Sequence, residues 1–358
     1  MEEELRARCD FVREVPHVHP RGAARLFRRI QVFSLLLRGR PVWVSWWAVD
    51  DYANCVRETA AAWRPDVVQL EYHLMGQYLP ALRECPAPRV LVQYDPGTGS
   101  APMPRFGVLG LRHLMGPLDQ RAWRRYETSI MRGVDAVVVF TERDRATVTA
   151  LAGDTTIVRI PLGAVVPEQA LSPVGHDSST LLFVGSFAHP PNVDAADRLI
   201  RAILPRVRVG RPDLRLVLVG GNFPADLRRR AGTGVEIAGS VPDVTPYLER
   251  ASLVVMPLRQ GGGMRVKALE ALAAGKAIVA SPLAVEGLDV MDGRECSIAS
   301  TDAEFAERIT HLLDHAEERR RLGTAARSWA LDHLSWSGAV DAYDQLYRSL
   351  LEMQCRRP

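Results

Sequence analysis

Five short apolar runs, Thr180–Gly185, Leu214–Gly220, Gly234–Ala238, Ser252–Met256 and Lys276–Ala280, recur along the second half of this 358-residue chain with helical patterns between them. Runs of that length without polar alternation suit strands covered on both faces, and a helix between consecutive runs is the crossover that parallel strands need. The spacing predicts a doubly wound α/β domain of nucleotide-binding size. A second series precedes it, at Pro41–Trp46, Asp66–Leu70, Arg89–Gln93, Asp135–Phe140 and Thr156–Ile160, near candidate helices at Asp51–Trp63 and Leu118–Arg132. Residues 166–179 carry Pro167, Pro173 and Gly175 without periodicity and read as a linker. The predicted organisation is an N-terminal Rossmann-like domain over 1–165, a linker over 166–179, a C-terminal Rossmann-like domain over 180–334, and a helical segment over 335–358 that packs back towards the N-terminal domain. Helices are expected at Asp302–His315, Ala316–Leu334 and Ser337–Glu352. Two such domains facing a cleft would hold ligands at the carboxyl ends of their strands.

The most specific segment is PLRQGGGMRVKALEALAAGKAIVASPLAVEGLDV, from Pro257 to Val290. Gly261, Gly262 and Gly263 lack Cβ, so the main chain there can reach positive φ and let a ligand lie against N–H groups. A helix is predicted over Met264–Ala274. Its first turn leaves N–H groups without helical partners and turns the positive end of the helix dipole on the loop, which favours an anion. Arg265 and Lys267 add charge beside that turn, and Glu270 follows Lys267 at a spacing that places both on one helix face. A diphosphate joined to a hydroxylated group suits this set. The same residues also admit a plainer reading, an exposed Lys267–Glu270 ion pair above a surface turn. Of 45 basic residues only Lys267 and Lys276 are lysine, so a lysine beside the glycines departs from the chain's habit of using arginine.

Composition narrows the classes. A chain with 47% hydrophobic and 24% charged residues can bury two sizeable cores. A net charge of +3 without a long basic run gives no electrostatic footprint for nucleic acid. The five cysteines are odd in number, far apart and free of C-x-x-C pairs, which suggests neither disulfides nor zinc and fits a reducing cytoplasm. Glu2, Glu3 and Glu4 differ from a cationic signal-peptide start, and no apolar run approaches membrane-spanning length.

Several ordered blocks carry a resemblance: FVGSFAHPPNVDAA at Phe183–Ala196, LRLVLVGG at Leu214–Gly221, GSVPDVTPYLERASLVVMPL at Gly239–Leu258, and GGGMRVKALEALAAGKAIVAS ending at Ser281. From Leu181 to Trp336 the chain resembles the GT-B-fold retaining glycosyltransferases of family 4, the glycosyl transferases group 1. The resemblance implies a nucleotide-sugar donor, UDP-, GDP- or ADP-linked, as co-substrate, no other cofactor, and a carbohydrate, lipid-linked or small-molecule acceptor. It implies the base near Ser240, Val241 and Pro242, the ribose hydroxyls on Glu270, and the phosphates at Gly185 and Ser186. Gly262, Gly263, Met264, Arg265 and Val266 would surround the diphosphate, with Arg265 and Lys267 neutralising the leaving group. Metal independence follows by the same route, and no D-x-D triplet occurs in the sequence.

The chain also departs from that family. The position eight before Glu270 is Gly262 rather than a second glutamate, and the basic residues that usually follow the first C-domain strand are replaced by Phe187, His189, Pro190, Pro191 and Asn192. The N-terminal domain is expected to lack its first βα unit, leaving an apolar sheet edge for an oligomer or partner. At the strand end where the family often has a histidine stand Tyr94 and Asp95, read as acceptor candidates. Glu71 and His73 follow the run DVVQL and are candidate acids or acceptor-orienting groups, His73 being equally suited to a structural role. Trp43, Trp46 and Trp47 could stack on sugars or fill core. Arg25, Arg28 and Arg29 beside Leu26, Phe27 and Ile30 suit either a solvated helix face or an amphipathic helix against the inner face of a membrane. A non-catalytic partner or scaffold keeping the fold is the alternative to the enzyme, and a GT-B-like epimerase would need converging carboxylates that the sequence does not offer.

Overall fold

Val90, Val92, Ala136 and Val138 are as deeply buried as Leu91, Val137 and Val139 on the opposite side of the same strands, so the first sheet is covered on both faces, as uninterrupted apolar runs require. A computed structural model describes residues 2–16, 22–96, 109–177, 179–261 and 265–356. The chain divides into two units, Met1–Ile160 with Asp344–Pro358, and Pro161–Tyr343.

In the first unit, among the described residues, α1 (Glu2–Arg8), α2 (Ala23–Leu37), α3 (Val42–Trp46) and α4 (Asp50–Trp63) precede β1 (Val68–Glu71). There follow a 3-10 stretch at His73–Leu82, β2 (Arg89–Gln93), α5 (Leu109–Arg132), β3 (Ala136–Val139), α6 (Glu142–Ala152) and β4 (Thr156–Arg159). The strands are parallel in the order β1-β2-β3-β4. Leu70, Leu91, Val137 and Ile157 stand side by side across this sheet and pack on Ile130, Met131 and Val148. At the edge strand β1, Gln69 and Glu71 are exposed and only Leu70 is buried, so this edge is polar rather than the apolar surface expected.

One expected strand is a helix. Residues 41–46 form the short helix α3, although Val and Trp favour strands. Pro41 presets the entry, and the buried Asp119 carboxylate accepts the Val42 N–H at 2.8 Å, capping the helix from α5. Val42 and Val44 are then fully buried. Tertiary packing has overridden local propensity.

His73, offered above as an acid, lies 2% exposed in an aromatic cage. Its ring stands 4.0 Å from Tyr72, 5.1 Å from Trp123 and 5.6 Å from Trp43, centroid to centroid. Burial pushes its pKa down to about 4, with Gln93 opposing. The ring is neutral and closed off from a substrate, so the structural role is the one realised, and Trp43, partly buried, packs against it.

The second unit contains β5 (Thr180–Val184), α7 (Pro190–Arg198), α8 (Leu204–Arg208), β6 (Arg215–Val219), α9 (Ala225–Arg230), β7 (Val235–Gly239), α10 (Thr245–Arg250) and β8 (Leu253–Met256). It continues with α11 (Val266–Ala273), β9 (Ile278–Ala280), β10 (Ser297–Ile298), α12 (Asp302–Asp314), α13 (Ala316–His333) and α14 (Trp336–Cys355), whose residues from Asp344 belong to the first unit. Strand order is β10-β9-β8-β5-β6-β7, all parallel, and it reverses between β5 and β8. Helix α7 sends Ala195 and Ala196 into a core with Phe183, Leu216 and Leu218. Helix α11 sends Ala268, Leu269 and Leu272 into the other core, with Leu182, Val217 and Ile278. The two helices therefore leave neighbouring strands for opposite faces, which opens a crevice at the strand ends.

Residues 166–177, read above as a linker, lie within the second unit and are stapled to its other segments. The fully buried Lys276 donates to the Ser172 carbonyl, Arg327 donates to the Pro167 carbonyl at 2.6 Å, and the Ser172 N–H reaches Glu249 at 3.3 Å. Proline and glycine content marks an irregular path here, and these donors fix it.

Because unfolded His73 titrates near 6.5 and the folded ring near 4, the unfolded chain binds the extra proton between those values. This contribution to stability is complete above the upper value and lost as pH falls towards the lower, a span worth about 3 kcal/mol. Urea unfolding from pH 7 to pH 4 should show that loss, and His73→Leu should flatten the curve relative to wild type.

Candidate functional site

The strand ends of the second sheet are drawn together by main-chain bonds beyond the strands. Gly185 N–H donates to the Val219 carbonyl at 2.8 Å, Phe187 N–H to Gly221 at 2.9 Å, and Gly220 N–H to Gly239 at 2.7 Å. Gly220 has φ 142°, and a Cβ there would stand 1.8 Å from the Gly185 carbonyl oxygen, so this contact requires glycine. Gly220 and Gly221 thereby lie between Gly185 and the loop that carries Ser240, which neighbours Gly221. Ser240 and Pro242 are exposed, whereas Val241 packs partly into the core.

At the point where strand order reverses, the first turns of α7 and α11 meet. Asn192, 5% exposed, donates from Nδ2 to the Ser186 carbonyl at 2.7 Å and receives the Lys267 ammonium on Oδ1 at 3.4 Å. The glycine loop is held over α7 by several clamps. Arg259 makes two contacts with Asp194, at 2.5 and 3.1 Å, and a Cβ on Gly261 would lie 3.3 Å from Pro191. Arg198, buried under Phe305, holds the Pro257 carbonyl at 3.0 Å and Asp302 at 2.5 Å. Gly262, Gly263 and Met264 lie outside the described residues.

Arg265 is buried and reaches Glu286 at 3.0 Å and the Gly261 carbonyl at 3.5 Å. Lys267 differs. Burial holds its pKa below the usual lysine value, with Glu270 opposing, so the ammonium sits in a weakly solvated place where an anion is attracted more strongly than in water. Glu270, one turn further along α11, stays accessible, and its pKa is raised by burial against the pull of Lys267. Val266 at the helix start is 41% exposed. The arrangement can hold a phosphate at the helix start and a hydroxyl-bearing group beside Glu270.

The remaining candidates gather in the first unit. Tyr94 Oη donates to Glu71 Oε2 at 2.9 Å, and Gln69 bonds the other Glu71 oxygen. Tyr72, with φ 74° at the end of β1, turns the chain there, a backbone state that a bulky side chain rarely adopts. The Tyr94 hydroxyl is pushed up to about 12 by burial and then by Glu71, and Tyr72 to about 12 by burial and then by Asp95. Glu71, Tyr94 and Asp95 thus share the carboxyl end of β1 and β2, where an exposed carboxylate and a phenol could orient hydroxyl groups. Tyr347 of α14 joins them by donating to Gln69.

Asn192 and Tyr347 are site residues that sequence reasoning passed over. Asn192 stood in the sequence only as a substitute for a missing cation, and Tyr347 is brought in by a segment nearly 280 residues away. Among the described residues no group of three or more His, Cys, Asp or Glu side chains is placed to hold a metal ion.

Comparison with known proteins converges on one enzyme class. Residues 178–315 match the family described as glycosyl transferases group 1. The chain is 31% identical over 153 residues to the GDP-mannose-dependent monoacylated alpha-(1-6)-phosphatidylinositol monomannoside mannosyltransferase of Corynebacterium glutamicum, covering 39% of this chain and 40% of that protein. It is 29% identical over 201 residues to the phosphatidyl-myo-inositol mannosyltransferase of Mycolicibacterium smegmatis, covering 52% and 50%. The chain thus spans half the length or less of these curated relatives. Among solved structures it is similar to a sucrose-phosphate synthase from Thermosynechococcus elongatus, with TM-score 0.67, 19% identity, and coverage of 84% of this chain and 78% of that one. That likeness shows the fold, the pair of α/β units of GT-B glycosyltransferases.

Proposed function

We propose that this protein transfers a glycosyl group from a nucleoside-diphosphate sugar to a carbohydrate, lipid-linked or small-molecule acceptor, with retention at the anomeric carbon and without a metal ion, at the cytoplasmic face of the cell. The observation that carries the reading is the meeting of Lys267, Asn192 and Ser186 at the reversal of strand order, with Glu270 open one turn away. The diphosphate would lie across the start of α11 beside Lys267, and the ribose hydroxyls would donate to the Glu270 carboxylate. As the bond from the anomeric carbon to the phosphate oxygen breaks, its electron pair leaves with the diphosphate. The growing charge is met by Lys267 and the free N–H groups of the helix start, which is where stabilisation of the transition state exceeds that of the bound donor. The acceptor hydroxyl oxygen then bonds to carbon from the same face, and its proton passes to the departing phosphate oxygen. Asn192 positions Lys267, and Arg265 with Glu286 shapes the loop. Glu71, with Tyr94 and Asp95, is proposed to orient the acceptor. The relatives named for GDP-mannose and for phosphatidylinositol acceptors make GDP-mannose and a lipid-linked acceptor the first pair to test.

Lys267→Ala should lower turnover, read as donor hydrolysis or transfer, by roughly 100-fold, more than it weakens donor binding. Asn192→Ala should lower it about 10-fold with the donor KM little changed, because the ammonium survives and only its placement is lost. Glu270→Gln should weaken donor binding, and calorimetric titration in chelator should show wild-type affinity falling as pH drops through a value above the ordinary carboxylate range, with the variant insensitive. Donor binding without hydrolysis or transfer for any acceptor would leave a non-catalytic partner protein as the reading.

A further inference from the structure

Helix α2 carries two apolar faces, and only one is used inside the protein. Val32 and Leu36 are buried against Val42 and Ala122. Arg28 pins the helix to α3 and its exit by donating to the carbonyls of Ser45, Trp46 and Ala48 at 2.9, 3.2 and 2.8 Å. On the other side, Leu26, Phe27, Ile30, Phe33 and Leu37 are 61%, 72%, 60%, 38% and 65% exposed. At 100° per residue Leu26, Ile30, Phe33 and Leu37 fall within one narrow stripe, and Phe27 borders it. Five large apolar side chains exposed along one side of α2 form a patch of the kind that marks an interaction surface. The solvated polar face is therefore not what α2 presents.

Charge identifies the occupant. Residues 15–49 contain six arginines, at 21, 25, 28, 29, 38 and 40, and no aspartate or glutamate. The whole chain is +3, so this 35-residue stretch holds +6 and the remainder −3. Arg38 is exposed just past the stripe, and Trp47, 37% exposed, lies at the end of α3. No helix among the described residues is long and apolar enough to cross a membrane. A helix lying in the plane of a membrane needs an apolar ridge to enter the acyl boundary and arginines beside it to meet lipid phosphates. We propose that α2 is a docking surface for an anionic phospholipid membrane, with Leu26, Phe27, Ile30, Phe33 and Leu37 entering the headgroup boundary, exposed Arg38 meeting phosphate, and the +6 charge of the stretch drawing the helix to the surface.

The test is flotation of the full chain with vesicles of phosphatidylcholine alone and with roughly 30 mol% phosphatidylglycerol added. Wild type should bind the anionic vesicles at least about 10-fold more tightly than the neutral ones, and added salt should reduce the difference. Phe27→Glu with Ile30→Glu should abolish binding with an unchanged thermal melt and unchanged nucleotide titration. Should that pair fail to fold, Phe27→Ser with Leu37→Ser supplies the readout. Equal binding to both vesicles, no binding by wild type, or full binding by a folded variant overturns the proposal. A wild-type dimer in light scattering that becomes monomeric in the variant, without vesicle binding, overturns it in favour of a second copy of the chain.

Discussion

Two neighbouring strands that send their helices to opposite faces govern this protein's chemistry. At the reversal between β5 and β8 the first turns of α7 and α11 face one another. Helix starts already favour an anion, and a fixed cation beside them strengthens that preference. Asn192 supplies the fixing: its amide is held by the Ser186 carbonyl, and its oxygen receives Lys267. The ammonium is thereby placed where its desolvation makes a phosphate partner worth more than it would be at the surface. Around it the protein spends other arginines on architecture. Arg198, Arg259 and Arg265 all serve the loop from Pro257 to Arg265, through a carbonyl, Asp194 and Glu286 respectively.

The second unit was largely legible in the sequence because its signals are local and mutually consistent. Uninterrupted apolar runs marked β5 to β9 within a residue or two, and the glycine loop followed by helix formers marked α11. The strand β10, two residues long, carries too little pattern to stand out. Asn192 was illegible as a positioning group because its role depends on a contact with a residue 75 positions away. Its neighbours Pro190 and Pro191 do announce a helix start, since proline is tolerated in a first turn.

In the first unit local propensity misled where distant groups decide. VWVSW reads as a strand until Asp119, from a helix 77 residues further on, caps it. The sequence EYH at the end of β1 reads as three polar residues in a place where ligands bind. Their fates diverge only through packing: Glu71 stays outside with Tyr94, while the strained turn at Tyr72 lays that ring on His73 and encloses the imidazole among tryptophans. The apolar face of α2 is the reverse case, since its pattern was visible but its exposure was not. Amphipathic spacing shows that a helix has a preferred side, and only the fold shows that α2 has a second one.

The most direct test of the central claim is a crystal structure of the protein with GDP or UDP bound in the presence of a chelator. The account predicts the diphosphate at the start of α11, with an oxygen within hydrogen-bond distance of Lys267 Nζ and the ribose hydroxyls on Glu270. A nucleotide bound elsewhere in the second unit, or one whose phosphates are held away from Lys267, would contradict it.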